Sequence, residues 1–149
     1  MPYTLEVCVD SVASALAAKR GGADRLELCA DLIIGGTTPS LALVRQVKTE
    51  TGLPVRALLR PRFGDFCYDR YELAQMAETA AALVQAGADG IVTGVLTPEG
   101  ELDVDALRPH LRRPPGPRQR PLAVRSSAPC TVPLMSAKTP LRRWKRPKR

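Results

Sequence analysis

Segments that read as strands and segments that read as helices take turns four times within the first 111 residues, and no other feature narrows the fold so far. Residues 5–9, Leu-Glu-Val-Cys-Val, form a short apolar-alternating strand. Asp10-Ser11 offers a helix N-cap, and the Ala-rich stretch 12–20 runs from it to the stop Gly21-Gly22. The same cycle repeats with a strand at 24–29, a glycine-rich loop at 34–39, a helix at 40–51 and Gly52 as its end. Pro39 stands where a first helical residue is tolerated. A third strand at 55–59 leads into the loop Arg60-Pro-Arg-Phe-Gly-Asp-Phe-Cys-Tyr68, and a long helix at 71–85 closes on Gly87. A fourth strand is expected at 89–95 and a fourth helix from 103 to 111.

Strand–helix alternation with short connections demands a parallel sheet with right-handed crossovers. Gly22-Ala-Asp-Arg-Leu-Glu and Gly87-Ala-Asp-Gly-Ile-Val use one device twice, a helix stop followed at once by a strand start. No strand runs through Gly-x-Gly-x-x-Gly into a helix, and there is no Walker A loop. Four units in about 110 residues is the pace of a (β/α)8 TIM barrel of roughly 250 residues. The expected fold class is therefore α/β, with parallel (β/α) units of a TIM barrel truncated to about four strands and four helices.

Charge divides the chain at the same place. Residues 1–111 hold all 15 acidic residues and 10 basic ones, whereas 112–149 hold 12 basic residues, no acid and 8 of the 14 prolines. The net charge of +7 thus belongs to the last quarter, and the body is mildly acidic. The expected organisation is a partial barrel at 1–111 and a basic, Pro-rich tail at 112–149, disordered or produced by a frame slip. No apolar run approaches the ~20 residues of a membrane helix, so no membrane role is expected. The N-terminus has no basic segment followed by a long apolar one, and four cysteines without a Cys-x-x-Cys pair do not make a disulfide scaffold. A reducing cytoplasm is the expected compartment.

Two segments 21 residues apart share a pattern, Glu6-Val-Cys8-Val-Asp10 and Glu27-Leu-Cys29-Ala-Asp31. Alternation puts Glu6 with Cys8, and Glu27 with Cys29, on one face of each strand. If the strands are neighbours, both thiols sit at the carboxyl ends of adjacent strands, where parallel α/β proteins place their sites. Two close thiolates suit a soft cation such as Cu(I), so Cys8 and Cys29 are candidate ligands. The plainer reading makes both small buried hydrophobes. Arg60, Arg62 and Asp65 follow the third strand, and Arg60 is the expected bidentate partner of Glu6 or Glu27. Glu6, Glu27, Arg60, Arg62 and Asp65 are equally a structural network or an anion-binding or catalytic set. Gly35-Gly36 before a helix can bind an anion or form an ordinary tight turn. Cys67 reads as an incidental surface thiol and His110 as a solvated helix-end residue.

Glu6-Val-Cys-Val-Asp-Ser11, Gly21-Gly-Ala-Asp-Arg-Leu-Glu-Leu-Cys29, Gly35-Gly-Thr-Thr-Pro-Ser40 and Arg60-Pro-Arg-Phe-Gly-Asp-Phe66 together resemble the N-terminal half of the CutC family, the copper homeostasis proteins. Gly87-Ala-Asp-Gly90 and Gly94-Val-Leu-Thr97 continue the likeness, which covers about residues 3–111. The resemblance implies a TIM barrel, a cytoplasmic location, a link to copper handling and Cys8 and Cys29 as Cu(I) ligands. It implies no particular reaction. The family's fifth strand would carry a Phe-His-Arg-Ala motif. Here Pro121-Leu-Ala-Val124 resembles its start and the likeness stops. A frame slip after residue 124 would explain the break, leaving a half barrel of marginal stability, expected to self-associate or be disordered, with an impaired site.

The function expected from these residues is copper homeostasis, with Cu(I) bound by the two thiols. The alternative is a TIM-barrel enzyme or binder of a small anionic metabolite using Glu6, Glu27 and Arg60. The expected partners are a copper ion or a small anionic ligand, with a homo-oligomer also open. The tail's lone aromatic, Trp144, and its scattered prolines point to no more than non-specific nucleic-acid contact.

Overall fold

The first three α-helices of this chain end on a glycine or just before one, and a strand starts within a few residues. The computed structural model describes residues 3–111. Strand β1 spans Glu6–Val9, followed by α1 (Val12–Arg20), β2 (Arg25–Leu28), α2 (Leu41–Thr51), β3 (Val55–Leu58), α3 (Arg70–Gln85), β4 (Gly90–Val92) and α4 (Val104–Leu111). The tail at 112–149, including the Pro121–Val124 likeness and Trp144, lies outside the described residues, as does the side chain of His110.

The helix starts follow the capping rules. The Ser11 hydroxyl accepts from the Ser14 amide, and Ser14 Oγ accepts in return from the Ser11 amide. Asp69 and Glu72 close the same box on α3. Ser40 caps α2 at Leu43, so Pro39 precedes the cap and is not the first helical residue. Gly52 ends α2 in the left-handed region at φ 66°.

All neighbouring strands are parallel, in the order β1-β2-β3-β4. A doubly wound sheet reverses its order partway, whereas a barrel adds each strand on the same side. With right-handed crossovers, this unidirectional order puts the helices on one face. Burial agrees. Val9, Leu26, Leu28, Val55, Ala57 and Ile91 pack with Ala15, Val44, Val47, Met76, Ala80 and Leu83 in one core between sheet and helices. Successive β/α units of a TIM barrel account for the described residues.

The two Gly-Ala-Asp repeats are the hinges of this order. The Asp24 amide donates to the Leu5 carbonyl at 2.9 Å while its carboxylate accepts from the Leu5 amide at 2.7 Å. Asp89 does the same one strand pair later, through its amide to Val55 O and its carboxylate to Val55 N, both at 2.7 Å. Each aspartate thus fixes where its strand begins against the preceding one in the sheet.

β4 is shorter than the stretch 89–95 expected of it. Pro61 removes a donor just past β3, so the ladder has nothing to continue on. Thr93 instead gives its hydroxyl to the Leu59 carbonyl, and the chain turns off into a Leu96–Leu102 bridge. A short 3₁₀ turn at Leu32–Ile34, unforeseen in the sequence, follows β2.

Candidate functional site

The strand face opposite the helices carries Glu6 and Cys8 from β1, Arg25 and Glu27 from β2, and Arg56 and Leu58 from β3, by the alternation of each strand. In a closed barrel this face is the interior. Its lower part is an ion-pair layer. Arg25 Nη2 lies 2.6 Å from Glu6 Oε2, and Arg56 Nη1 lies 3.9 Å from the same oxygen. The Glu6 carboxylate raises the pKa of Arg25, more than burial lowers it. Arg25 and Arg56 were not singled out from sequence, although Arg25 shares its strand's alternation with Glu27 and Arg56 with Arg60.

Toward the carboxyl ends of the strands the layer gives way to the thiols. Cys8 is level with Glu27 in the β1–β2 register, and Val9 with Leu28, so Cys29 follows one step beyond. The two cysteines are diagonal neighbours on one face of adjacent strands. Strand spacing and rise place such positions roughly 8 Å apart, from ~4.8 Å across and ~6.6 Å along. An unstrained disulfide needs Cβ atoms within about 4.5 Å, so this register disfavours one.

The environments of the thiols differ. Cys8 is exposed and Cys29 is buried, at 3% exposure. The Cys29 thiol donates to the Val9 carbonyl at 3.5 Å. Burial pushes its pKa up to about 11, and the negative charges of Cys8, Asp10, Glu27 and Asp31 push the same way. That corner therefore repels a further anion and favours a cation.

Gly36 explains part of this burial. A Cβ there would stand 2.9 Å from Leu58 Cδ2 and 3.3 Å from Cys29 Cβ, and its φ is +84°. The glycine loop folds down over Cys29 and returns through the Ala30–Thr37 bridge. Its amides are already used: Gly35 N–H donates to Leu32 O and Gly36 N–H to Asp31 O. The loop is a tight turn, not an anion cradle. Asp31 enters it at φ 50°, and its carboxylate accepts the Thr37 hydroxyl at 2.7 Å.

Arg60 does not form the fork expected with Glu6 or Glu27. Its Nη1 donates to the carbonyls of Gly35 and Gly36 at 3.2 and 3.1 Å, and Nη2 to Gly64 at 2.7 Å. Its guanidinium lies over the Phe66 ring at 4.6 Å. The residue stands at the top of β3, so its long side chain meets the loops before it can reach back to the acids. Arg62 belongs to another network, with Glu72 at 2.5 Å and Asp65 at 3.0 Å, which pins the β3–α3 loop to the first turn of α3. The Asp65 carboxylate also accepts from the Cys67 amide. Glu6, Glu27 and Arg60 therefore do not converge on one anion. Cys67 is half-buried, and its thiol donates to Thr97 O at 3.3 Å, so it is no simple surface thiol.

Among the described residues, no three His, Cys, Asp or Glu side chains gather as metal ligands, and no helix is long and apolar enough to cross a membrane. A cavity of about 220 Å³ lies elsewhere, between the Thr38 and Pro61 loops and Gln75, Met76 and Thr79 of α3.

The CutC family pattern matches residues 3–116. A CutC family protein of Vibrio atlanticus is 44% identical over 108 residues, covering 72% of this chain and 44% of the relative. A human copper homeostasis protein cutC homolog is 48% identical over 101 residues, covering 68% of this chain and 37% of the relative. The chain thus spans less than half the length of these curated relatives. The crystal structure of CutC from Streptococcus agalactiae superposes with a TM-score of 0.67 at 31% identity, covering 73% of this chain and 54% of that one. The family pattern matched over most of the chain, together with this superposition, shows that the chain belongs to the CutC family.

Proposed function

We propose that the chain takes part in copper handling in the cytoplasm, with Cu(I) as cargo held between Cys8 and Cys29. One observation carries the reading: two thiols stand diagonally at the carboxyl ends of β1 and β2, in a corner where Asp10, Glu27 and Asp31 supply negative charge. Two metal–sulfur bonds of roughly 2.3 Å span ~4.6 Å between sulfurs. Side chains leaning together across a diagonal of ~8 Å leave room for such a bridge. A soft monovalent cation accepts a two-thiolate site, whereas zinc asks for four ligands. The names of the matched relatives, copper homeostasis proteins, support the same cargo. Against an anionic metabolite stand the loop carbonyls that already take up Arg60.

Cu(I) titration against a competing chelator tests the assignment. One copper per chain is expected, and Cys8→Ser or Cys29→Ser each weakens binding at least tenfold, about 1.4 kcal/mol. Cys67→Ser leaves it unchanged. Equal affinity in all four proteins would remove the thiols from the site.

A further inference from the structure

The large apolar residues of the glycine loop between β2 and α2 do not hold it down on Cys29. Ile33 at its tip is 98% exposed, and Leu32 and Ile34 are 41% and 49% exposed. The loop is tied to the end of β3 by polar bonds that run to Arg60, itself only 8% exposed. Arg60 Nη1 donates to the Gly35 and Gly36 carbonyls, and Nη2 donates to Gly64 in the next loop. Thr38 clamps the Arg60 backbone. Its amide and hydroxyl donate to Arg60 O at 3.0 and 2.9 Å, and its Oγ1 accepts from Arg60 N at 2.8 Å. We propose that Arg60 is a positioning residue of the thiol pair: its guanidinium bolts the Gly35-Gly36 turn over Cys29, so that an arriving soft cation meets Cys8 first and gains Cys29 only when this loop lifts.

Three observations separate a latch from an ordinary buried arginine. The first is geometry. A planar guanidinium presents its N–H groups as a rigid fork, so one side chain can hold two loops at a set distance. Here the loops are the cover of Cys29 and the segment after β3, and the Phe66 ring, 4.6 Å away, backs the plane of the fork. The second is the kind of acceptor. All three are backbone carbonyls, so the bonds are charge-assisted yet fall short of an ion pair, and water can replace them when the loop moves. The third is placement. A Cβ added to Gly36 would stand 3.5 Å from Cys29 Sγ, so the turn that Arg60 holds is the layer directly over the sulfur. Cys8, by contrast, is exposed. For the identity of the arriving cation the inference rests on the copper reading, but its test needs no copper.

Alkylation by iodoacetamide at about pH 8, followed thiol by thiol with peptide mass spectrometry on the full chain, reads the latch. Arg60→Ala is expected to speed Cys29 about tenfold or more, equivalent to about 1.4 kcal/mol in loop opening, while the Cys8 rate holds. Millimolar guanidinium chloride is expected to slow Cys29 again in this variant, because the free ion replaces the missing fork, whereas sodium chloride at the same concentration is not. Thr38→Val loses the clamp on the Arg60 backbone and is expected to speed Cys29 by a smaller factor, which keeps the test open should Arg60→Ala fail to fold. Arg62→Met is the control. Arg62 braces the same β3–α3 loop on Glu72 and Asp65, away from the glycine turn, so Cys29 is expected to react there at the wild-type rate. A Cys29 that stays as slow as wild type in Arg60→Ala and Thr38→Val overturns the latch. So does equal speeding in Arg62→Met, because general loosening would then expose the thiol. Cu(I) titration of the wild-type chain tests the copper reading separately: no copper bound, with the Arg60 effect intact, removes the cargo and leaves the latch.

Discussion

Cys29 is held by its surroundings more tightly than a small apolar residue needs to be. Its thiol gives a hydrogen bond to Val9 O, and Gly36 closes over it. With the folded pKa near 11 against an ordinary 9.0, the folded chain binds the Cys29 proton more tightly than the unfolded chain does. The resulting stabilisation is complete below about pH 9 and is lost as pH rises toward 11. Thermal melts should therefore show a fall between pH 9 and 11 that shrinks in Cys29→Ala. Alkylation should follow the same order, with Cys8 modified at pH 8 and Cys29 modified only as the pH nears 11. Comparable rates for both at pH 8 would contradict the burial argument. Gly36 offers a second test. Gly36→Ala imposes an unfavourable φ and a clash with Leu58, at a cost of about 1–3 kcal/mol. Urea denaturation reads that cost, and faster alkylation of Cys29 would show the loop lifting off it.

The Gly-Ala-Asp repeat carries this reasoning to the scale of elements. In each copy the glycine ends a helix at positive φ, the alanine is buried, and the aspartate is bound to the first residues of the preceding strand in the sheet. Asp89 also holds Lys48 Nζ at 2.6 Å, tying α2 to the same point. Asp89→Ala leaves the Val55 amide without its acceptor and should cost about 1–3 kcal/mol. Asp89→Asn keeps an acceptor and loses an exposed ion pair worth about 0–1 kcal/mol, so it should cost less. Equal losses in chemical denaturation would show that the charge, not the acceptor, sets the strand start. This device was legible in the sequence because helix stops and caps are local. So were α1 and the parallel order, which follow from residue type and connection length. The end of β4 at Val92 was not legible, because it depends on Pro61, far back in the chain beyond α3. Nor were the partners of Arg60: a guanidinium reaches several acceptors, and only the folded loops decide which lie nearest. The same holds for the thiols. Their shared face could be read from alternation, but their diagonal offset required the β1–β2 register.

At the scale of the molecule, the two faces of the sheet among the described residues differ in kind. Its helix-facing side buries a continuous apolar core, whereas its inner side carries charge in a half-exposed layer. The superposition on the Streptococcus agalactiae protein covers 54% of that chain. The Arg25–Glu6 pair in that layer is partly exposed, so added salt screens it while the apolar core is left intact or strengthened. Chemical denaturation at low and high salt should show the wild-type chain losing the pair's contribution of about 0–1 kcal/mol, and Arg25→Met, which cannot form the pair, losing none of it. An equal salt effect in both proteins would place its origin outside the layer.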